Sequence, residues 1–330
     1  LVRISDNDGG IFVRVHHLIA DAWTMVLMGS QFIENYNNLK EGTYLADRIK
    51  PSFIDYISSE EKYFESKRFD NDRQYWSDKF ANWQEATVIK SRKEKTGLTK
   101  ARRKTQIIPQ KLTQKIREYC QQNKVSEFSL FMAGLAMYIN RITGKEDLVL
   151  GSTFLNRVNA VERETVGMFA NIAVPMRFNL RDDMDFNTFV SQVTQETFGA
   201  LKHQKYPFDL VLKEVREKNK TAVSLFDIVL TYQNSKFIKL NNSDQYITRW
   251  HFNGYQIESL IINLNDRESD GRLIVDYDYS TDLFYATEID FIHQHIINVL
   301  WHALDNPKKK ICNLEMLSEK EKQKILNRFN

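Results

Sequence analysis

The residues of this chain best suited to chemistry lie in "VRVHHLIADAW", residues 13–23, where two adjacent histidines are followed four residues later by an aspartate. An imidazole titrates near neutrality and can accept or donate a proton. A carboxylate nearby can orient that ring, or it can cap the helix that follows. On a strand, adjacent side chains point to opposite faces, so only one of His16 and His17 would face a given cleft. That pattern suits one reactive ring and one supporting ring. The architectural alternative is equally open on these residues alone: two satisfied core histidines, with Asp21 as a plain helix cap.

Other constellations carry less. His293 and His295 in "FIHQHII" fall on different faces of a helix, whereas metal binding prefers i, i+4 pairs with a carboxylate, so packing or surface roles are expected and no metal site. "GKEDLVLG" lacks phosphate-loop spacing and the chain holds no G-x-G-x-x-G, which excludes nucleotide binding within that segment. Residues 90–104 hold eight Lys or Arg against one Glu. Such a run is first a solvated loop or edge strand, and second a docking surface for an acidic protein partner. Aromatic interleaving for base stacking is absent, and a net charge of +3 is mild, so nucleic acid is not an expected partner.

The elements that must position His16, His17 and Asp21 follow from the flanking pattern. Residues 1–17 alternate on either side of "DNDGG", a hairpin signature, with Ile11–Val15 as the arm that delivers the histidines. After Asp21, the spacing of Trp23, Val26, Leu27, Phe32, Ile33, Tyr36 and Leu39 predicts a helix packed on a sheet. Beyond it, helical patterns in 51–80 (one or two helices), 111–123, 126–144, 186–202, 206–217 and 286–304 mix with strands at "TQIIP", "EDLVLGSTF", "SLFDIVLTYQN" and "GRLIVDYDYS", and with a turn leading into a strand at "ETVGMFANIAVPMRF". The order shows no steady βαβ alternation, so the expected class is α+β in two lobes. The chain of 330 residues is 42% hydrophobic and 27% charged, which is ordinary for a globular protein that buries a sizeable core. No apolar run is long enough to span a bilayer, and the two cysteines, Cys120 and Cys312, sit in no motif, as suits a reducing cytoplasm.

The motifs, taken in order, resemble one family. "HHLIADAW" is similar to the H-H-x-x-x-D-G signature of the condensation domains of nonribosomal peptide synthetases, with Ala22 in place of the glycine. "SFIDYISSEEKYF" with "YWSDKF", "RITGKEDLVLGSTFLNR", "VGMFANIAVPMRF", "HQKYPFDLVLKEV" and "SLFDIVLTYQN" resemble the motifs that follow it, and "MLSEKEKQKILNRFN" resembles the linker to an adenylation domain. Lys205 and the residues around Asn171 depart from the pattern, and the family's opening motifs have no counterpart, so an N-terminally incomplete chain is expected.

The resemblance implies a two-lobed chloramphenicol acetyltransferase-like fold, divided as residues 1–60 for the remainder of the N-terminal lobe, 61–312 for the C-terminal lobe and 313–330 for the start of the linker. It implies amide-bond formation between a carrier-bound acyl or peptidyl thioester and the amine of a second carrier-bound thioester, in a tunnel reached from both ends. His17 would be the catalytic residue, His16 its support, and Trp23 packing beneath the loop. Asp21 would be structural, ion-paired to an arginine for which Arg177 is the candidate. Asn171, Tyr232, Gln233 and Asn234 would approach the tunnel. The expected partners are upstream and downstream carrier domains and an adenylation domain. No cofactor is expected on the domain itself; the phosphopantetheine belongs to the carriers. The rivals are an epimerization relative, an acyltransferase using coenzyme A, and a non-catalytic platform that recruits proteins.

Overall fold

The computed structural model describes residues 1–43, 50–90, 99–220, 222–234, 249–266 and 271–329. The chain forms two units. Leu1–Ser66 and Leu155–Ala170 belong to the first, and Lys67–Phe154, Asn171–Asn234 and the chain from Arg249 onward belong to the second. The expected division near residue 60 treated each lobe as one continuous stretch. The chain instead returns to the first unit at 155–170.

In the first unit, β1 (Val2–Arg3) pairs antiparallel with β2 (Gly9–Gly10), so the hairpin at "DNDGG" forms but is short. Its expected second arm, Ile11–Val15, is not a strand. Alternation makes a segment able to extend, but a strand also needs a neighbour to take its backbone bonds. The ladder ends at Gly10, and no described strand pairs with 11–15. α1 (Ala22–Glu41) starts where Asp21 caps it and stops at Gly42, whose φ of 67° is the left-handed conformation that glycine adopts without a Cβ penalty. α2 (Phe53–Phe64) is capped by Ser52. The returning segment carries a single short helix, α6 (Ala160–Glu164), capped by Asn159.

The second unit is built on a seven-stranded mixed sheet in the order β5-β4-β6-β8-β9-β3-β7. Its strands are β3 (Thr99–Ile107), β4 (Asp147–Phe154), β5 (Asn171–Asn179), β6 (Ile228–Gln233), β7 (Tyr255–Gln256), β8 (Leu260–Asn265) and β9 (Ile274–Ser280). The β4–β6 and β6–β8 pairs are parallel and the others antiparallel. Its helices are α3 (Lys67–Lys79), α4 (Gln110–Asn123), α5 (Glu127–Thr143), α7 (Phe186–Lys202), α8 (Phe208–Lys218), α9 (Ala286–Asp305) and α10 (Glu319–Phe329).

One sheet face is apolar across the central strands: Leu148, Leu150, Met176, Phe178, Ile228, Leu230, Leu260, Ile262, Val275 and Tyr277 are all buried. α5 is buried without interruption from Phe128 to Asn140 and packs against α7 and α9. A helix apolar on every side must be enclosed on every side. The other face of the same strands carries a polar row. Thr231 donates to Asn263 at 2.7 Å, Asn263 donates to Asp278 at 3.0 Å, and Asp278 takes both prongs of the Arg103 guanidinium at 2.6 and 2.7 Å.

The helices expected over 51–80, 111–123, 126–144, 186–202, 206–217 and 286–304 are present as α2, α3, α4, α5, α7, α8 and α9. β8 and α10 were not expected. β8 is bonded on both sides, by β6 and β9, and its Asn263 interrupts the apolar run that would have marked a buried strand. No helix among the described residues is long and apolar enough to cross a membrane.

Candidate active site

His16 and His17 sit in a turn, not on a strand, so alternation of strand faces does not distribute them. The His16 carbonyl accepts from the Ile19 N–H at 3.1 Å and its Nδ1 accepts from the Leu18 N–H at 3.2 Å. A neutral His16 ring therefore carries its proton on Nε2. That closes the turn and makes His16 a local support. His17 lies at the exposed tip, and its ring has no hydrogen-bond partner among the described residues. The alternative of two buried core histidines is not what the structure shows: both rings are exposed.

Asp21 lies four residues on and is 3% exposed. Its Oδ1 accepts the Thr24 N–H at 2.8 Å, which is the helix cap. Its Oδ2 accepts the backbone N–H groups of Phe169 and Ala170 at 3.1 and 3.2 Å, and both oxygens accept from Arg157 Nη2 at 3.1 Å. Asp21 is therefore cap and ion-pair partner at once. The cap reading and the ion-pair reading of this residue were never exclusive, since a carboxylate offers about four acceptor positions.

The arginine is Arg157, and this corrects the expected Arg177. Arg157 is fully buried, bonds the carbonyls of Glu162, Thr165 and Gly167 as well as Asp21, and stacks on the Phe169 ring with its guanidinium carbon 3.9 Å from the centroid. Burial disfavours its charge and moves its pKa below the usual guanidinium value, with Asp21 opposing the shift. Arg177 belongs to the other unit. There it pairs with Asp147 through two bonds of 2.8 and 2.6 Å across the β4–β5 ladder and bonds the carbonyl of Lys79. The physical reason is register: Val149 and Arg177 are opposite each other, so the Arg177 side chain lies along the β4 surface and reaches Asp147 on the same face.

Around this ion pair the first unit is knotted together. Thr24 Oγ1 donates to the Gly167 carbonyl at 2.7 Å and accepts the Gly167 N–H at 3.0 Å. The half-buried Trp23 donates its indole N–H to the Arg163 carbonyl at 2.8 Å, which gives it a bonding role beyond packing. Gly167 has no room for a side chain, because a Cβ there would lie 2.1 Å from the Phe53 ring. Phe169 in turn packs on Tyr56, with ring centroids 4.0 Å apart. The residues missed by sequence reasoning are Arg157, Thr24, Gly167 and Tyr56. Arg157 closes "STFLNR" and Gly167 opens "GMF", both within segments already singled out, but nothing in a linear pattern says which of 46 basic residues is buried.

The four expected tunnel residues lie in the second unit. Asn171 donates to the carbonyls of Gln204 and Tyr206 at 2.9 and 3.3 Å, which ties the start of β5 to the "HQKY" turn. Tyr232 donates to Glu127 at 2.7 Å, and Gln233 reaches Asn263 at 3.5 Å. Asn234 is exposed. Among the described residues no three His, Cys, Asp or Glu side chains are grouped to hold a metal ion, and Cys120 and Cys312 are free thiols. His293 is buried against Tyr277 at 3.0 Å, and His295 bonds Glu321 of α10 at 2.9 Å, so both are packing residues.

A mixed sheet with this strand order, and a buried Asp–Arg knot behind a histidine turn, define a class: the chain belongs to the condensation domain family, whose model matches residues 1–326. The fold is the two-lobed chloramphenicol acetyltransferase-like α+β fold, shared with the first condensation domain of the calcium-dependent antibiotic synthetase in complex with substrate analogue 3a. That match has a TM-score of 0.76 at 20% identity, over 92% of this chain and 66% of that one. The X-domain from teicoplanin biosynthesis is similar too, with a TM-score of 0.77 at 18% identity, over 92% of this chain and 71% of that one.

In sequence, the chain is 34% identical over 328 residues to surfactin synthase subunit 1 of Bacillus subtilis (strain 168), covering 99% of this chain and 9% of that protein. It is also 34% identical over 334 residues to a plipastatin synthase of the same organism, covering 100% of this chain and 13% of that protein. The chain therefore spans about a tenth of the length of these relatives. Condensation domains of nonribosomal peptide synthetases are acyltransferase-type enzymes that form amide bonds.

Proposed function

We propose that this chain joins an acyl or peptidyl thioester, carried on the phosphopantetheine arm of one carrier domain, to the amine of an aminoacyl thioester carried on another. The observation that carries the reading is the His17 ring, exposed and unbonded among the described residues at the tip of a turn whose base is held by the buried Asp21–Arg157 pair.

The chemistry asks little of one residue. An α-amine has a pKa of about 8, so an appreciable fraction is nucleophilic near neutrality. Attack on the thioester carbonyl forms the C–N bond and a tetrahedral oxyanion. Its collapse breaks the C–S bond, and the leaving thiolate takes up the proton that the amine has lost. A neutral His17 ring accepts that proton in transit or hydrogen-bonds the amine into line. Holding two tethered substrates in place contributes about 7–11 kcal/mol, against the roughly 10²–10⁴-fold typical of general acid–base catalysis. Orientation therefore dominates, and His17 refines it. Asp21, Arg157, His16 and Trp23 keep the turn in shape, while Arg177 fastens the second unit. Of the four candidate tunnel residues, Asn234 has its amide available for a substrate, whereas Asn171 and Tyr232 are held in structural bonds.

The partners in this reading are a donor carrier, an acceptor carrier and an adenylation domain joined through the 313–330 segment, all in the cytoplasm. The test is product formation from loaded donor and acceptor carriers with and without His17→Ala. Loss of amide product with carrier binding retained supports the reading. Equal rates would make the turn architectural and the domain a platform.

A further inference from the structure

The basic run at 90–104 is divided by the structure into cations that are used and cations that are not. Residues 91–98 lie outside the described residues. Of the rest, Lys90 bonds Glu288 and the Leu283 carbonyl, Arg103 pairs with Asp278, and Lys104 pairs with Asp290 and bonds the Ala286 carbonyl. Lys100 and Arg102 have no acid and no carbonyl bonded to their side chains among the described residues.

Both stand on one face of β3, because they are two residues apart on a strand. Both line a cavity of about 560 Å³ at the edge of the sheet, walled by Tyr255, Tyr279, Phe284 and Tyr285. Among the described residues no acidic side chain lines it. That volume lies within the range of about 300–1,000 Å³ typical of small-molecule sites. A solvated edge strand accounts for a lone lysine. Here two such cations line one aromatic-walled pocket, where like charges stand side by side and an anion between them would be favoured.

We propose that this cavity binds a phosphate ester, with the phosphate between Lys100 and Arg102 and the remainder of the ligand packed on the tyrosine and phenylalanine walls. The guanidinium offers a fork and the ammonium a point charge, a pair suited to a phosphate's several oxygens. The site is unlike a phosphate loop: its cations come from a strand and no glycine-rich turn cradles the anion. Phosphate esters reach a condensation domain from two sources, free nucleotides and the phosphopantetheine arm of a carrier, and the second source rests on the proposed function above.

The experiment is calorimetric titration of the full chain with inorganic phosphate, AMP and 4′-phosphopantetheine at low salt. The variants are Lys100→Ala/Arg102→Ala, Tyr285→Ala, and Arg181→Ala as an exposed cation outside the cavity. One ester is expected to bind saturably and more tightly than inorganic phosphate. The double variant should weaken it by roughly 10- to 100-fold, and Tyr285→Ala should weaken the ester while leaving inorganic phosphate unchanged. Tighter AMP identifies the free nucleotide as the source, and tighter phosphopantetheine identifies the carrier arm. Lys100 and Arg102 are exposed, so the double variant folds, which its melting curve checks. Saturable binding of neither ester, or equal binding by the wild type and the double variant, overturns the proposal. His17→Ala leaves these titrations unchanged, so failure of amide formation and failure of this site are read separately.

Discussion

Removing the Arg157 guanidinium is the most decisive perturbation of the site. Arg157→Met keeps the bulk of the side chain but takes away the counterion of Asp21, the bonds to the carbonyls of Glu162, Thr165 and Gly167, and the stack on Phe169. Asp21 would keep its three backbone N–H donors, from Thr24, Phe169 and Ala170, while its charge stays buried without a counterion. Breaking a buried pair by removing one member costs about 3–5 kcal/mol. That is a large share of the roughly 5–15 kcal/mol that holds a domain folded. Asp21→Asn keeps the cap to Thr24, because asparagine caps as well as aspartate. Part of the penalty of Arg157→Met is the stranded charge, so Asp21→Asn/Arg157→Met should be less destabilised than the sum of its single variants. Urea unfolding of the four proteins measures the coupling directly. Arg177→Met supplies the contrast, since Asp147 is half exposed and its charge returns to water. A smaller cost for Arg157→Met than for Arg177→Met, or no coupling in the double variant, would refute the stranded-charge account.

Further expectations follow from the same geometry. His17→Ala should reduce amide formation by roughly 10²–10⁴-fold and leave the melting temperature unchanged, because the ring is exposed and unbonded among the described residues; activity and melting measured on one preparation check both halves. Gly167→Ala forces a methyl into the Phe53 ring and should destabilise the fold by about 1–3 kcal/mol, measured by urea unfolding. His293 has its pKa pushed down to about 4 by burial. Below its unfolded value near 6.5 the unfolded chain takes up a proton that the folded chain refuses, so stability falls as pH drops from about 6.5 to about 4 and levels off beyond. His293→Asn should flatten the urea midpoint across that window. Glu321, held near a pKa of about 2 by its bonds to Ser318 and His295, fastens α10. Glu321→Gln should lower hydrogen-exchange protection over Glu319–Phe329 and leave the rest of the chain as it was.

Much of the scaffold was legible because its signals are local. Asp21 before an apolar period marks the start of α1, and the apolar spacing after it marks the helix itself. The same locality explains the errors. Ile11–Val15 alternates like a strand, yet pairing is decided by what lies beside it. β8 is a strand because β6 and β9 flank it, although its own asparagines weaken the pattern.

By itself the sequence determined the family, through motifs in a fixed order, and within them the histidines and the capping aspartate. It also determined that a basic run exists. Only the tertiary structure decided which arginine answers Asp21, which of the run's cations are neutralised, and which histidine ring is left unbonded. Burial and pairing depend on residues more than a hundred positions apart, as Asp21 and Arg157 are, and a linear pattern carries no information about that distance until the chain has folded.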